Sequence, residues 1–372
     1  MKLLHVVPYF PPDHWGGIEV HMLELGRYLS ADHKVIVVTS CLRNQPSVAE
    51  SDGLTVCRLR GLTPPSLPPV LPKMENPFVV GLDTALHSFD FDLIHAHGQE
   101  YLISWLAAKC ASERSIPFIL TIHHTGEAFA QYPTVRLLRT ILKRTAIRFS
   151  IESSRATIAV SKGALSYLRM FRPKRAYLIP NAIDLKRFEG LRRASEYVLF
   201  VGRLDALKGP ELLVRASPLI LREVDAHFAI VGDGPERGRL IRLTEDLKVE
   251  GRFTFLRDVS YKDVPRIVAK CSVFVAPHNA GYSMLEAGAA GKPVVSAMLD
   301  WNFETLGEAA LYFPPRDVRK LAQAVVRVLK DRALAERLGR DGRIFIEKHR
   351  TWDVLGPRIV EVYESVVSER YD

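Results

Sequence analysis

Residues 272–296 are SVFVAPHNAGYSMLEAGAAGKPVVS, and the order of elements that they predict indicates the fold class. The apolar run at 272–276 is typical of a buried strand, and Gly281 belongs to the loop after it. A helix-compatible segment with Glu286 follows, and glycine and proline end it before a second apolar run at 294–296. This order of strand, loop, helix and strand indicates a parallel α/β sheet.

The loop and the start of the helix favour a phosphate-bearing ligand. In a parallel sheet the loop lies at the carboxyl edge of the strands, where ligands bind. The first N–H groups of a helix have no partner within it, so the backbone from Asn279 through Ala280 to Gly281 suits a phosphate. Glu286, about one turn inside the helix, can accept hydrogen bonds from a ribose.

Length and composition indicate an ordinary globular protein with room for two domains. The chain has 372 residues, of which 47% are hydrophobic and 25% charged. It has no uninterrupted apolar run of about 18 residues, so the sequence predicts no segment that spans a bilayer. Residues 1–7 form too short an apolar segment for a signal peptide. The four cysteines lie far apart, which argues against a zinc or disulfide framework and favours a reducing cytoplasm.

The formal charge of +9 suits nucleotide phosphates, an anionic membrane surface or nucleic acid. The cations are dispersed and no zinc-finger or basic-zipper pattern occurs, so no nucleic-acid partner is predicted. One stretch, 135–149, is basic and contains no acid. Two interpretations of it stay open: a helix that lies on an anionic membrane, or a solvated helix with an apolar core face.

The first half of the chain starts with the same strand, loop and helix order. Apolar strands are predicted at 3–7 and 34–39, with residues at helical spacing between them. Gly16 and Gly17 stand immediately before this helix, where absent side chains let a ligand approach the backbone. A plain tight turn explains the glycine pair equally well.

Two further strands, 92–97 and 117–124, end in histidine, and both ends should lie at the same edge of the sheet. We interpret His95 and His97 as structural residues. No metal site is predicted, because no further histidine or carboxylate at a spacing typical of metal ligands accompanies His95 and His97.

The second half opens with a strand at 197–201, followed by Gly202 and a loop that carries Arg203 and Lys208. Two cations on a loop that leaves a strand can clamp a diphosphate, and arginine can do so in a bidentate manner. Surface charge near a turn is the alternative interpretation.

A strand at 227–231 leads into a turn with Gly232 and Gly234, which alone is half of a dinucleotide-binding fingerprint. Further strands are predicted at 56–59, 157–160, 176–179, 253–256 and 311–313. Three helices are predicted at 318–330, 334–347 and 352–368.

Together, these motifs resemble the retaining nucleotide-sugar glycosyltransferases of the GT-B fold, called family 4 or group 1. The resemblance covers essentially the whole chain, with the parts in the family's order. The matching segments are Gly16-Gly17-Ile18-Glu19, residues 180–184, the Arg203-to-Lys208 interval, residues 231–235 and Glu286-Ala287. His278 stands where the family has a first glutamate.

The resemblance implies an α/β protein of GT-B architecture, in which two Rossmann-like domains face each other across a cleft. Residues 1–188 would form the acceptor-side domain and 189–352 the domain that binds the nucleotide sugar. The terminal helix, 353–372, would pack back on the first domain.

The implied reaction is transfer of a hexosyl group from a UDP- or GDP-sugar to a hydroxyl of a saccharide or polyprenyl-linked acceptor, with retention. The nucleotide sugar is a co-substrate, so neither a cofactor nor a metal is expected. The implied location is the cytoplasm, with attachment to the inner face of the membrane through 135–149 as an alternative.

The resemblance also assigns roles to individual residues. The expected catalytic set is His123, Arg203, Lys208 and His278. The expected donor-binding set is Gly17, Gly202, Gly232, Gly234, Asn279, Ala280, Gly281 and Glu286. Within these sets, Arg203 and Lys208 would hold the donor phosphates and His123 would lie beside the transferred sugar.

The histidine at 278 bears on the mechanism, because the family's first glutamate is the nominal covalent nucleophile. Without it, we favour attack from the side of the leaving group, with a donor phosphate oxygen taking the acceptor proton. His278 would then contact a hydroxyl of the donor sugar. A GT-B nucleotide-sugar epimerase and a catalytically impaired nucleotide-sugar binder remain alternatives.

Overall fold

A computed structural model describes residues 1–12, 14–41, 47–62, 78–124, 143–191 and 196–369. The chain divides into two units, the first of Met1–Asn181 with Trp352–Asp372 and the second of Ala182–Thr351. The change of unit at Asn181 precedes the boundary after residue 188 that the sequence analysis set. Residues 135–142 of the predicted basic helix lie outside the described residues.

The first unit is built on a mainly parallel sheet with strand order β3-β4-β2-β1-β6-β7-β8-β9, and β5 pairs with β4. Only β3 and β5 run antiparallel to their partner β4. The strands are β1 Lys2–Val6, β2 Lys34–Cys41, β3 Ser47–Ser51, β4 Leu54–Leu62, β5 Phe78–Val79, β6 Leu93–His97, β7 Phe118–Ile122, β8 Ala156–Ala159 and β9 Ala176–Leu178.

Helices follow most of these strands, as a parallel sheet requires. They are α1 Gly17–Leu29, α2 Leu82–Ser88, α3 Leu102–Glu113, α4 Arg148–Ser153 and α5 Lys162–Arg169, with a π-helical turn at Lys143–Ile147. Met22, Leu25 and Leu29 of α1 are buried, which confirms the predicted helical spacing. One face of the strands β1, β6 and β7 is apolar and packs in the core of the unit. The other face carries the buried polar side chains of His5, His95, His97 and Thr121.

The second unit is a six-stranded parallel sheet with strand order β12-β11-β10-β13-β14-β15. The strands are β10 Tyr197–Val201, β11 Phe228–Val231, β12 Phe253–Leu256, β13 Cys271–Ala276, β14 Val294–Ala297 and β15 Leu311–Phe313. The helices are α6 Pro210–Leu221, α7 Arg237–Asp246, α8 Val264–Ala269, α9 Tyr282–Ala289, α10 Asp300–Leu306, α11 Val318–Lys330 and α12 Arg332–His349. Short 3-10 turns lie at Leu185–Phe188, Glu250–Arg252 and Gly307–Ala309. The fold is therefore α/β with two Rossmann-like units.

The last helix, α13 at Trp352–Ser368, belongs to the first unit. The indole of Trp352 donates to Glu24 of α1 at 3.0 Å, and the hydroxyl of Tyr363 lies 2.7 Å from Nδ1 of His95. Both aromatic side chains are buried, so this helix supplies part of the core of the first unit. Across the described ranges, no helix combines the length and apolarity needed to cross a bilayer.

Candidate functional site

The predicted donor residues other than Gly17 belong to the second unit, where most of them lie at the carboxyl edge of the sheet. Gly202 and Arg203 follow β10, Gly232 and Gly234 follow β11, and residues 277–281 follow β13. These three strands are neighbours in the sheet. Their loops therefore meet, as the sequence predicts for parallel strands.

The turns after β10 and β11 are packed backbone against backbone. A Cβ added to Gly232 would lie 2.0 Å from the carbonyl oxygen of Gly202, and one added to Gly234 would lie 2.5 Å from that of Leu204. The amide of Leu204 donates to the carbonyl of Asp233 at 2.9 Å. This close approach explains the glycine at 232 and fixes the loop that carries Arg203.

Lys208 is directed at the start of helix α9. A Cβ placed on Gly281 would lie 3.4 Å from Nζ of Lys208. Gly281 has φ of 56°, a conformation that favours glycine, and it precedes the first turn of α9. An ammonium group and the amino end of a helix, both positive, thus lie side by side. Partial burial lowers the pKa of Lys208, while Asp205 acts in the opposite direction.

The carboxylate of Asp205 contacts both residues predicted to bind phosphate, Arg203 and Lys208. Its carboxylate lies 3.2 Å from Nε of Arg203 and accepts from the backbone amide of Lys208 at 3.1 Å. Arg203 is 53% exposed, so its side chain can leave this pair at little cost. A bound anion would therefore compete with Asp205 for Arg203.

The loop that carries His278 is held by Asn302 of α10. Nδ2 of this buried asparagine donates to the carbonyl of His278 at 2.8 Å, and its Oδ1 accepts from the amide of Ala280 at 3.5 Å. The amide of Ala280 is thus partly engaged. The amides that start α9 have no partner within the helix, so they can donate to a ligand.

The imidazole of His278 is half-buried, and desolvation lowers its pKa. A hydrogen bond with the backbone of Leu207 acts in the opposite direction, and the charges of Arg316 and Lys208 lower the pKa further. A neutral imidazole at this position can donate or accept one hydrogen bond at each nitrogen. It suits a contact with a hydroxyl group.

Glu286 is buried on α9 and forms an ion pair with Arg187. Nη2 of Arg187 lies 3.3 Å from Oε1 of Glu286 and 3.1 Å from the carbonyl oxygen of Tyr261. The guanidinium group also lies 3.7 Å from the centre of the Tyr261 ring. These contacts fix the direction of the Glu286 carboxylate.

The first unit presents its own predicted residues at the carboxyl edge of its sheet. Gly17 begins helix α1, and a Cβ added there would meet nothing within 4 Å. The space in front of Gly17 is open to a ligand. At Gly16, by contrast, an added Cβ would lie 2.5 Å from Oε2 of Glu19, so the flexible Glu19 side chain would have to move.

His123 follows β7 and lies in a cluster of imidazoles. Its Nε2 is 3.4 Å from Nδ1 of His97, and Nε2 of His97 is 3.1 Å from Nδ1 of His5. The ring of His21, from α1, lies 4.9 Å from that of His123. His95 is held between the hydroxyls of Tyr363 and Thr121, both at 2.7 Å.

Burial lowers the pKa of every histidine in this cluster. The pKa of His5 falls to about 3 and that of His21 to about 4, while those of His95, His97 and His123 fall well below their usual range. Desolvation is the largest cause of the lowered pKa in each case. Neighbouring imidazoles lower the pKa further in all of them except His21. At His21 the side chain of Asn181 acts in the opposite direction. The cluster is therefore neutral at pH 7.

Five residues of these two regions were not foreseen from the sequence: Asp205, Arg187, Asn302, His5 and His21. Asp205 lies between Arg203 and Lys208 in the sequence, so a carboxylate close to these two cations could have been predicted. His5 pairs with His95 in the register of β1 with β6. Arg187 and Asn302 act through contacts that no local pattern marks.

Comparisons with known proteins point to one family. The model described as "Glycosyl transferases group 1" matches residues 195–331, and that described as "Glycosyltransferase Family 4" matches residues 15–187. A GDP-mannose-dependent alpha-(1-6)-phosphatidylinositol monomannoside mannosyltransferase of Mycobacterium tuberculosis is 33% identical over 177 residues, which are 44% of this chain and 46% of the relative.

Two solved structures share the fold over nearly the whole chain. A sucrose-phosphate synthase of Thermosynechococcus elongatus has a TM-score of 0.79 and 24% identity, and covers 99% of this chain and 100% of its own. The Anabaena protein HepE, in complex with UDP-glucose, has a TM-score of 0.76 and 17% identity, and covers 98% and 100% respectively.

Proposed function

This chain belongs to the glycosyltransferases of family 4, group 1, and we therefore propose that it transfers a hexosyl group, with retention, from a UDP- or GDP-sugar to a hydroxyl of a lipid-linked or saccharide acceptor. A relative that uses GDP-mannose and a structural neighbour that binds UDP-glucose support the two donor classes. The phosphatidylinositol monomannoside acceptor of that relative supports a lipid-linked acceptor.

The observation that carries the proposal is the position of Lys208 at the start of α9. A lysine ammonium group, an exposed arginine and the amino end of a helix lie at one edge of the sheet, with Asp205 close to both cations. Such a place binds an anion with two or more charges, and a diphosphate supplies them.

In the proposed reaction the acceptor hydroxyl attacks the anomeric carbon on the face that the diphosphate leaves. The new bond joins the acceptor oxygen to that carbon, the bond from the carbon to the phosphate oxygen breaks, and a diphosphate oxygen takes the acceptor proton. Lys208 and Arg203 stabilise the negative charge that grows on the leaving group. His278 contacts a hydroxyl of the transferred sugar.

The proposal is tested with a thermal-shift panel of UDP-, GDP- and ADP-sugars, followed by incubation with lipid-linked and saccharide acceptors. We expect one nucleotide class to raise the melting temperature and the product to keep the anomeric configuration of the donor, as NMR coupling constants report. An inverted product would refute retention, and an epimerised free nucleotide sugar would identify an epimerase. Failure of every donor to bind would refute the assignment.

A nucleotide-sugar binder without transferase activity is the second candidate, because His278 replaces the glutamate that the family has at this position. Calorimetry would then detect donor binding, while donor hydrolysis and transfer would stay at background with every acceptor.

Glu286 and Arg187 supply a prediction for the ribose side of the donor. Glu286→Gln should raise the dissociation constant of the donor about tenfold, because a charged hydrogen-bond acceptor becomes a neutral amide. Arg187→Ala should weaken donor binding in the same direction, since it releases the carboxylate that the ion pair holds. The exposed Glu250→Gln is the matched control and should change nothing. Calorimetric titration gives all three constants; an unaltered constant in Glu286→Gln would remove this side chain from the donor site.

A further inference from the structure

We propose that His21, His97 and His123 form a binding site for a divalent transition-metal ion of the zinc class. The three imidazoles come from separate elements: α1, the end of β6 and the residue after β7. One nitrogen of each lies within 4.8 Å of the other two. No metal site was predicted from the sequence, because no partner at a convincing ligand spacing accompanies His95 and His97.

The distances fit tetrahedral coordination. Zinc binds histidine nitrogen at about 2.0–2.1 Å, so two nitrogens of a tetrahedral site lie about 3.3 Å apart. The 3.4 Å between Nδ1 of His97 and Nε2 of His123 already meets this requirement. Nδ1 of His21 is buried and has no hydrogen-bond partner among the described residues, so a third ligand atom is available. One nitrogen of His21 lies within 4.8 Å of the other two ligand atoms, so a movement of its side chain toward them would complete the triad.

The partners around the triad are those that metal-bound histidines have. A ligating histidine usually donates its second ring N–H to a neighbour, which fixes the ring and its tautomer. Nε2 of His97 lies 3.1 Å from Nδ1 of His5. Asn181 lies beside His21, and its buried Oδ1 has no hydrogen-bond partner among the described residues, so it can accept from the second ring nitrogen of His21. One ligand is therefore already held by a neighbour, and a second has an acceptor beside it.

A neighbouring triad, His5, His95 and His97, is equally compact but does not fit. Both ring nitrogens of His95 lie 2.7 Å from hydroxyl groups, those of Tyr363 and Thr121. All three residues are also fully buried, whereas His123 is half-buried, so one ligand of the other triad reaches the solvent. Among the described histidines the His21, His97 and His123 triad is thus the one that can accept an ion.

Three neutral imidazoles select the metal class. Imidazole nitrogen suits Zn²⁺, Ni²⁺ and Cu²⁺, whereas Mg²⁺ and Ca²⁺ require oxygen ligands. Bound metal would withdraw His123 from any sugar or acceptor, so we expect Zn²⁺ to inhibit transfer. This consequence, unlike the binding itself, rests on the proposed function.

The test is calorimetric titration of the protein, without a histidine tag, with ZnCl₂, and replacement by Co²⁺, whose tetrahedral complexes absorb strongly in the visible range. We expect one ion per chain, and an affinity lower by about a hundredfold in His21→Gln and in His123→Gln. His349→Ala, which removes an exposed imidazole of the second unit, should bind as the parent does. Mg²⁺ should give no heat.

Circular dichroism melting checks that each variant is folded. If His21→Gln fails to fold, His123→Gln still decides the matter, because its side chain is only half-buried. Absence of stoichiometric Zn²⁺ binding, binding that survives both substitutions, or loss of binding in His349→Ala would each overturn the site. The titrations contain neither donor nor acceptor, so a protein that binds Zn²⁺ but transfers no sugar would refute only the proposed function.

Discussion

Replacing Lys208 with alanine is expected to weaken donor binding about ten- to a hundredfold, and to lower the rate with it. A charge-assisted hydrogen bond contributes about 1.5–3 kcal/mol, which corresponds to that range of dissociation constants. The ammonium lies beside the first turn of α9, where a diphosphate would receive both positive charge and backbone donors. Because the leaving group gains charge in the transition state, kcat should fall as well as affinity.

Arg203→Ala should also weaken donor binding and lower the rate, but by less than Lys208→Ala, since Arg203 is exposed and already paired with Asp205. The matched control is Lys270→Ala: this lysine is 47% exposed, pairs with Glu196 and precedes β13, at the opposite edge of the same sheet. Titration with the donor that stabilises the parent most gives the dissociation constants, and steady-state kinetics give kcat. Unchanged values for both Lys208 and Arg203 would mean that no diphosphate binds in this loop.

The first unit should lose stability steeply as the pH falls below about 6.5. His5, with a pKa of about 3, and His21, with a pKa of about 4, are neutral in the folded state. Once unfolded, each regains a pKa near 6.5, so the unfolded state binds more protons between these values. Stability is therefore fully present above pH 6.5 and is lost as the pH decreases toward the folded pKa values.

The expected effect is large. Each buried histidine lowers the free energy of unfolding by about 1.4 kcal/mol per pH unit in this window, so His5 and His21 together remove roughly 6 kcal/mol by pH 4. That loss is comparable to the whole stability of a typical domain. Urea melts at pH 7, 6, 5 and 4.5, followed by tryptophan fluorescence, measure the slope.

His5→Leu should make the free energy of unfolding depend less steeply on pH, by the equivalent of about one proton taken up on unfolding. The variant has one fewer group to protonate on unfolding, whatever the substitution does to stability at neutral pH. His349→Ala, at an exposed position, should leave the slope unchanged. A first unit whose stability is flat between pH 7 and pH 4.5 would show that the imidazoles are protonated without unfolding.

Much of the fold follows from local patterns in the chain. The apolar run before Pro277, the glycine at 281 and the second run from Val294 predict β13, α9 and β14, and the structure confirms all three. Helices α2, α3, α5, α6, α7, α8 and α10 were not predicted. In α3 nearly every residue from Ile103 to Ala111 is small or apolar, so the spacing of polar and apolar residues that marks a surface helix is weak.

The contacts that shape the sites lie at long range, which local patterns do not encode. Glu286 meets Arg187 across 99 positions in the chain, and His5 meets His97 across 92. Parallel pairing of β1 with β6 creates the second contact, and strand order is a property of the whole unit. The sequence indicated that Arg203, Lys208 and Glu286 share one edge of the sheet. It did not indicate that Asp205 pairs with Arg203 or that Arg187 pairs with Glu286.

The position of α13 makes the order of synthesis matter. The ribosome produces the strands of the first unit early and the whole second unit next, and the helix that buries Tyr363 beside His95 and Trp352 beside Glu24 is made only after both. Until α13 has been made, the first unit lacks these two buried aromatic side chains. The core of the first unit is therefore completed only after the second unit has been synthesised.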